Sequence, residues 1–564
     1  MNVLTKAFRF RKPIPSFAST SRLYASHTMG KDRFRKSGAK RQKTSTGSTR
    51  LEGSNEETLA FETKAFRNQF LGHDGHQFER PSSSQTSEGL PQPLTNVEVT
   101  IRELSSTGDG LGTSTRSETI YVVPFALPGD VINATVIRHL PEGYSLARYE
   151  SVVTAGPKRD GSLAKCKYFT QCGGCQFQML AYGDQLAHKK GIVEAAYRNF
   201  SSLAPEAVPT VNNTLGSPRQ YGYRTKLTPH FDAPPKSVAR KAKEAGRPVF
   251  DALPPIGFMR KGRRTTMDIE ECPIGTESVR QGLTRERAFV RENLTSYKKG
   301  ATILLRESTT RTPLHTAPNR RETSVSPKDN GDAYEEQKVC ITDSNAIAKE
   351  YVDGFVFENK AGAFFQNNNS ILPSFVQYIR SNILGPADGR ESSISYLVDA
   401  YCGSGLFTVT LSSLFSASTG IDIDEHSIAA AKRNAQLNNV QNANFTAATA
   451  SAIFNGMSMP ADKTVVVIDP PRKGCDEEFL NQLLRFAPRR VVYVSCNVHT
   501  QARDVGFLVE GKKNARYGIE SLQGFDFFPQ TSHVEAVAIL QRVDDSPEVV
   551  AEAKVPSHTD AEKC

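Results

Sequence analysis

Several short segments of this chain carry side chains that can do chemistry. Ser495-Cys496-Asn497 offers a thiol nucleophile, and His533-Val534-Glu535 offers a carboxylate base. Asp469-Pro470-Pro471-Arg472-Lys473-Gly474 lies upstream of both. Gly403-Ser404-Gly405 follows an apolar run, and Asp422 comes nineteen residues after Gly403. Glycine lets a backbone approach a ligand closely, and an acid at the next strand end can bind ribose hydroxyls. The third glycine of dinucleotide sites is missing, which suits a nucleoside cofactor such as S-adenosyl-L-methionine. A different chemistry sits nearer the N-terminus. Cys166, Cys172 and Cys175 have C-x5-C-x2-C spacing, and Cys272 in Glu271-Cys272-Pro273 supplies a fourth thiol. Four thiolates suit an iron–sulfur cluster, or zinc. Nine cysteines in 564 residues do not make a disulfide scaffold, and their crowding points to a metal site in a reducing compartment.

The elements that position these residues follow from the apolar pattern. From about residue 350, strands and helices alternate. Strands are expected at YLVDAY (396–401), STGIDI (418–423), TVVVID (464–469) and RVVYVS (490–495), with a last one in HVEAVAIL (533–540). Helices are expected at LFTVTLSSLF, DEHSIAAAKRNAQLN and EEFLNQLLRFA. Continuous apolar strands alternating with helices indicate a parallel sheet covered on both faces. The motifs fall at or beside strand ends, where open α/β sheets bind ligands. Residues 97–155 instead read as short alternating strands, the pattern of a small β-barrel. The chain divides into 1–95, a presequence-like and disordered polar tail; 96–160, the barrel; 161–350, a mixed central region with insertion-like stretches at 232–255 and 308–338; 351–542, the α/β domain; and 543–564, an acidic disordered tail.

AFFQNNN (363–369), DAYCGSG (399–405), GIDID (420–424), DPPRKG (469–474), VSCN (494–497) and FPQTSHVE (528–535), preceded by CKYFTQCGGCQFQ (166–178), resemble the RNA uracil-5-methyltransferase family. That family includes enzymes of tRNA U54 and of 23S-type rRNA. The resemblance implies a Rossmann-like class I methyltransferase domain behind a TRAM (OB-like) β-barrel and a mixed α+β central domain. Uracil C5 is a poor nucleophile until a thiolate adds to C6, a case of covalent catalysis. By resemblance, Cys496 is the nucleophile and Glu535 takes the C5 proton. Gln366, Tyr401, Asp422 and Asp469 contact S-adenosyl-L-methionine beside Gly403 and Gly405, and Asp469 also approaches the base. Members with this cysteine spacing hold a [4Fe-4S] cluster, here on Cys166, Cys172, Cys175 and Cys272. Two positions depart from the family pattern. Val498 stands where proline is usual, and Leu406 where asparagine is frequent. Cys402 and Cys475 read as packing residues.

Charge separates the address from the body. Residues 1–50 carry thirteen basic residues and one acid, whereas the other 514 hold 57 basic and 59 acidic residues. The acid-free, Arg- and Ser-rich residues 1–31 resemble a mitochondrial presequence. A start at Met29 would keep a basic tract suited to nuclear localisation or loose RNA contact, so mitochondrial and nuclear or cytosolic destinations are both expected. Residues 236–264 carry nine Lys and Arg against Glu244 and Asp251, a candidate phosphate surface. No run approaches the roughly 18 apolar residues that cross a bilayer. The partner expected is tRNA, and no feature calls for an obligate protein partner. The eukaryotic-looking address favours T-loop U54 of tRNA. Methylation of rRNA and a non-catalytic RNA-binding or tRNA-folding role are the alternatives.

Overall fold

The computed structural model describes residues 53–71, 90–115, 117–313, 328–329, 332–385, 394–449, 453–454, 457–511 and 515–543. The presequence-like segment, the basic tract that follows it and the acidic tail lie outside the described residues.

The first element corrects the sequence reading. Helix α1 (Asn55–Phe70) lies where polar composition predicts disorder. Ser54 caps it by accepting from Glu57 N–H (3.3 Å), and the Glu57 carboxylate returns to Gly53 N–H (2.6 Å). This reciprocal cap satisfies donors that the first turn would otherwise orphan. Leu59 and Phe66 then bury against Leu111, Ile120, Val122 and Tyr144. Those four belong to a closed barrel of β1 (Asn96–Leu104), β2 (Gly110–Ser114), β3 (Ser117–Val123), β4 (Val131–His139) and β5 (Tyr144–Thr154), in the order β1-β2-β3-β5-β4. The barrel core is filled from alternate positions such as Val97, Val99 and Ile101, as the two-residue period of a strand requires.

Helix α2 (Tyr182–Phe200) and strand β6 (Asn212–Leu215) lead away from the cysteine region. In the first insertion-like stretch, helix α3 (Lys236–Glu244) buries none of its residues. In the second, Leu305–Pro313 pairs antiparallel with Asp332–Ile341 next to helix α4 (Glu277–Glu292).

Eight strands form the main sheet. Their order is Ala443–Ala447, Ala417–Asp422, Tyr396–Ala400, Thr464–Ile468, Arg490–Ser495, Glu535–Arg542, Tyr517–Phe525 and β6. Val465 and Val467 face one core with Phe375 of α5 (Leu372–Asn382), Phe407 of α6 (Leu406–Leu411) and Ile428 of α7 (Glu425–Leu437). Val466 and Ile468 face the other, with Ile192 of α2, Phe479 of α8 (Glu477–Phe486) and Val505 of α9 (Val498–Glu510). Each fully buried aliphatic side chain of this kind stabilises the fold by about 1.5–3 kcal/mol.

The sheet is mixed rather than wholly parallel: Glu535–Arg542 runs antiparallel to both neighbours. That reversal has a chemical consequence. The first residues of this strand stand at the same edge as the last residues of Arg490–Ser495, with Ala536 opposite Ser495. Glu535 and Cys496, distant in sequence, are therefore brought to one edge.

Candidate active site

One side of the site is a tight turn after Tyr396–Ala400. Tyr401, Gly403 and Gly405 have φ of +64°, +54° and +89°. Glycine adopts this region at little steric cost, which is why the G-x-G spacing occurs here. Asp422, at the end of the neighbouring strand, accepts from Gly403 N–H (2.9 Å) and Asp424 N–H (2.8 Å). The Tyr401 ring packs edge-on against Phe479 at 5.4 Å, and its hydroxyl meets the Cys475 thiol. Gln366 is half-buried. Two residues after it, Asn368 is buried and donates to Ser217 Oγ (3.0 Å) and the Phe527 carbonyl (3.2 Å). Ile423 and Phe364, beside Asp422 and Gln366, are 72% and 76% exposed. Leu406 is buried in the core with Phe407, so its side chain faces away from solvent. Cys402 and Cys475 are likewise packing residues, each 6% exposed.

The reactive side gathers Cys496, Glu535, Asp469 and Arg472. Burial, then the charges of Glu535 and Asp469, push the Cys496 thiol up to about 12; Arg472 opposes this and hydrogen-bonds the thiol. Burial and then Asp469 hold Glu535 well above the ordinary carboxylate range, again against Arg472. Asp469 is raised to about 7 by burial and by Asp399. Buried, like-charged groups so arranged are the usual setting of acid–base chemistry. Arg472 is the residue that the motif reading left without a role. Its effect depends on where the Asp-Pro-Pro-Arg turn aims it.

The Cys496 loop is held from several sides. Asn497 caps α9 through His499 N–H (3.3 Å) and donates to the Arg472 carbonyl (2.9 Å) and the Gly53 carbonyl (3.2 Å). Val498 is the first residue of α9, the helical position at which proline is well tolerated. Valine there keeps the same turn. The Glu535 loop is pinned by Lys189, which meets Asp526 at 2.5 Å with both side chains fully buried. Lys189 also donates to the carbonyls of Phe528 (3.1 Å) and His533 (2.7 Å). Such a buried cation has no local sequence signature.

A cavity of about 830 Å³ opens over Cys496. Its walls come from Gly53–Glu56, the β1–β2 turn (Ser106, Thr107, Asp109), the cysteine loop (Gly173, Gly174, Gln176), Lys261, and residues 531–534. Cys166, Cys172, Cys175 and Cys272 line a second cavity of about 230 Å³, which shares Gly174 and Thr531 with the first. All four are free thiols. Burial raises each of them, Cys272 to about 12, and Cys172, Cys175 and Cys272 are raised further by neighbouring cysteines. Among the described residues, no three His, Cys, Asp or Glu side chains converge as ligands of a metal ion.

Comparison with known proteins decides the family. Residues 334–543 match the model of the tRNA (Uracil-5-)-methyltransferase family. The chain is 45% identical over 449 residues to the tRNA (uracil(54)-C(5))-methyltransferase of Schizosaccharomyces pombe, covering 79% of this chain and 78% of that one. The chain belongs to the tRNA (uracil-5-)-methyltransferase family. A second relative, the tRNA (uracil(54)-C(5))-methyltransferase of Saccharomyces cerevisiae, is 41% identical over 478 residues, 79% of this chain and 73% of the other. The crystal structure of the Pyrococcus abyssi tRNA (uracil-54, C5)-methyltransferase in complex with S-adenosyl-L-homocysteine superposes with a TM-score of 0.53. It is 24% identical and covers 78% of this chain and all of its own, which establishes a shared fold. The class I methyltransferase fold and the closed five-stranded barrel agree with this family assignment.

Proposed function

We propose that this protein transfers a methyl group from S-adenosyl-L-methionine to C5 of uridine 54 in the T loop of tRNA. The observation that carries this reading is the electrostatic coupling of Cys496, Glu535, Asp469 and Arg472, with Cys496 and Arg472 lining the cavity above them. The fungal relatives supply the position in the RNA. The turn 401–405, Asp422 and the open faces of Ile423 and Phe364 would hold the nucleoside, and Asp469 and Gln366 the rest of the donor. When bound, the donor supplies the methyl group on a sulfonium electrophile.

The chain's own residues account for the other steps. The Cys496 thiolate adds to C6, moving the ring electrons to an enolate. C5 then attacks the methyl carbon, and the C–S bond of the donor breaks. Glu535 takes the C5 proton, the C6–S bond breaks, and the thiolate returns. The target base must leave its stack to reach Cys496, and the β1–β2 turn of the barrel stands ready at the cavity wall to receive flanking nucleotides. Mass spectrometry of tRNA and rRNA nucleosides from cells lacking the protein tests the substrate. Loss of 5-methyluridine from tRNA is expected; loss confined to rRNA would overturn the tRNA assignment.

Four cysteines share one cavity, and their number and spacing support a [4Fe-4S] cluster there, with zinc as the alternative. Cys166, Cys172, Cys175 and Cys272 would hold it, and iron and sulfide analysis of anaerobically purified protein checks this. The domain boundaries at 95, 160, 350 and 542 and the dual address are part of the same reading. A reporter carrying residues 1–28 that stays diffuse in the cytosol would remove the mitochondrial destination.

A further inference from the structure

We propose that Gln176 is a positioning residue, joining the wall of the catalytic cavity to the RNA-facing turn of the barrel. The inference rests on the methyltransferase reading for its kinetic arm alone.

Gln176 directly follows the third cysteine, and three parts of the molecule meet on it. Its Nε2 donates to the Thr107 carbonyl in the β1–β2 turn (2.6 Å). Its Oε1 accepts from Ser532 N–H (3.0 Å). Its own N–H donates to the Gln530 carbonyl (2.7 Å), and Phe177 N–H donates to the same oxygen (3.1 Å). One side chain thus takes a bond from each facing wall while its backbone anchors the loop that leads to Glu535.

Both walls are built to meet it. On the barrel side, Gly108 has φ +81°, and a methyl group there would stand 2.4 Å from Gln176 Nε2 and 2.9 Å from Ser532 Cβ. No side chain fits between them. The turn is braced by Lys261 Nζ on Asp109 (3.1 Å) and by Glu62 of α1, which accepts from Ser106 N–H (3.0 Å). On the catalytic side, Gln530 is a non-glycine residue at φ +72°. Such a conformation persists only where surrounding contacts over-determine it. Gln185 supplies two, accepting from Gln530 N–H (3.0 Å) and donating to its Oε1 (3.1 Å); the two donors at 176 and 177 supply the rest. Removing the amide of Gln176 would free the 530–534 wall from the barrel, so that RNA held by one would no longer be registered on the other. The loss belongs to alignment rather than to RNA affinity.

The test uses the full-length chain with Gln176→Leu, Gln176→Glu and Gly108→Ala. Hydrogen exchange is read at 528–534, with tRNA kcat, tRNA Kd and thermal unfolding alongside. Gln176→Leu is expected to raise local exchange and cut kcat by about tenfold or more, since small misplacements are costly in catalysis, while Kd stays within about twofold. Gln176→Glu keeps the Ser532 acceptor but sets a carboxylate oxygen against the Thr107 carbonyl, and should show the leucine signature as well. Gly108→Ala should give the leucine signature from the barrel side. Wild-type exchange and kcat in Gln176→Leu would overturn the proposal. So would a rise in exchange spread evenly over the chain, or kcat and affinity falling together. If the wild-type protein methylates no tRNA uridine, the functional reading fails, whereas the exchange data still report on the joint.

Discussion

Burial and two carboxylates push the Cys496 thiol up to about 12, which disfavours the nucleophilic thiolate. Arg472 is the cation that favours the charged form. Replacing it with methionine removes that help, so the thiol rises further and the activity limb moves to higher pH. At pH 7.5 the rate of covalent adduct formation should fall about 10- to 100-fold, a loss of the size expected when an activating charge is removed. Arg472→Lys should recover part of it. A pH profile of adduct formation that is the same in wild type and Arg472→Met would contradict this role. In the proposed mechanism the base acts after the adduct forms, so Glu535→Gln should still form the adduct and accumulate it, seen as a slow band on a denaturing gel. Short motifs single out Cys496 and Glu535 in the sequence, and the antiparallel last strand is what brings them to one sheet edge. Arg472 was visible only as a motif letter, since its importance lies in the three groups around it. Gln176 is likewise only a letter of the cysteine motif, and Lys189 has no motif at all, because their partners lie from 69 to 356 residues away.

Helix α1 shows how an element can be hidden by composition. Its segment is polar and charged, yet Ser54-Asn55-Glu56-Glu57 followed by Leu59 and Phe66 is a capping signature before an apolar face. The strand at Glu535–Arg542 was expected, but its direction was not: orientation within a sheet depends on the connection before it, which local pattern does not encode. Helix α1 also carries a titratable brace. Burial, with Glu103 adding, pushes Glu62 up to about 7 against the Ser106 hydrogen bonds and Arg198. The folded chain then binds more protons here than the unfolded chain between pH 4.5 and about 7. Stability from this group is full below pH 4.5 and is lost as pH rises through about 7. Glu62→Gln should therefore have a Tm near wild type at pH 5 and above wild type at pH 8. An equal Tm difference at both pH values would contradict the assignment. Phe66→Ala, which empties the same interface, should cost about 3–5 kcal/mol of local stability, read as faster exchange in α1.

At the scale of the molecule, the basic pI belongs to the first fifty residues, and the remainder is close to neutral. Affinity for RNA must come from local surfaces. Lys261 and Lys473 stand at the cavity, and α3 presents Lys236, Lys241 and Lys243 on a helix that buries nothing. Changing these three α3 lysines to alanine should weaken tRNA binding and reduce the slope of log K against log salt by about 0.7–0.9 for each phosphate no longer neutralised. An unchanged slope would place the phosphates elsewhere. The central claim is tested most directly with the purified protein, an unmodified tRNA transcript and methyl-labelled S-adenosylmethionine, by mapping the labelled atom for wild type and Cys496→Ala. The expected result is one methyl group on C5 of uridine 54 with a covalent protein–RNA band in the wild type, and neither in Cys496→Ala. Label on another atom or another residue, or turnover that survives in Cys496→Ala, would contradict the account.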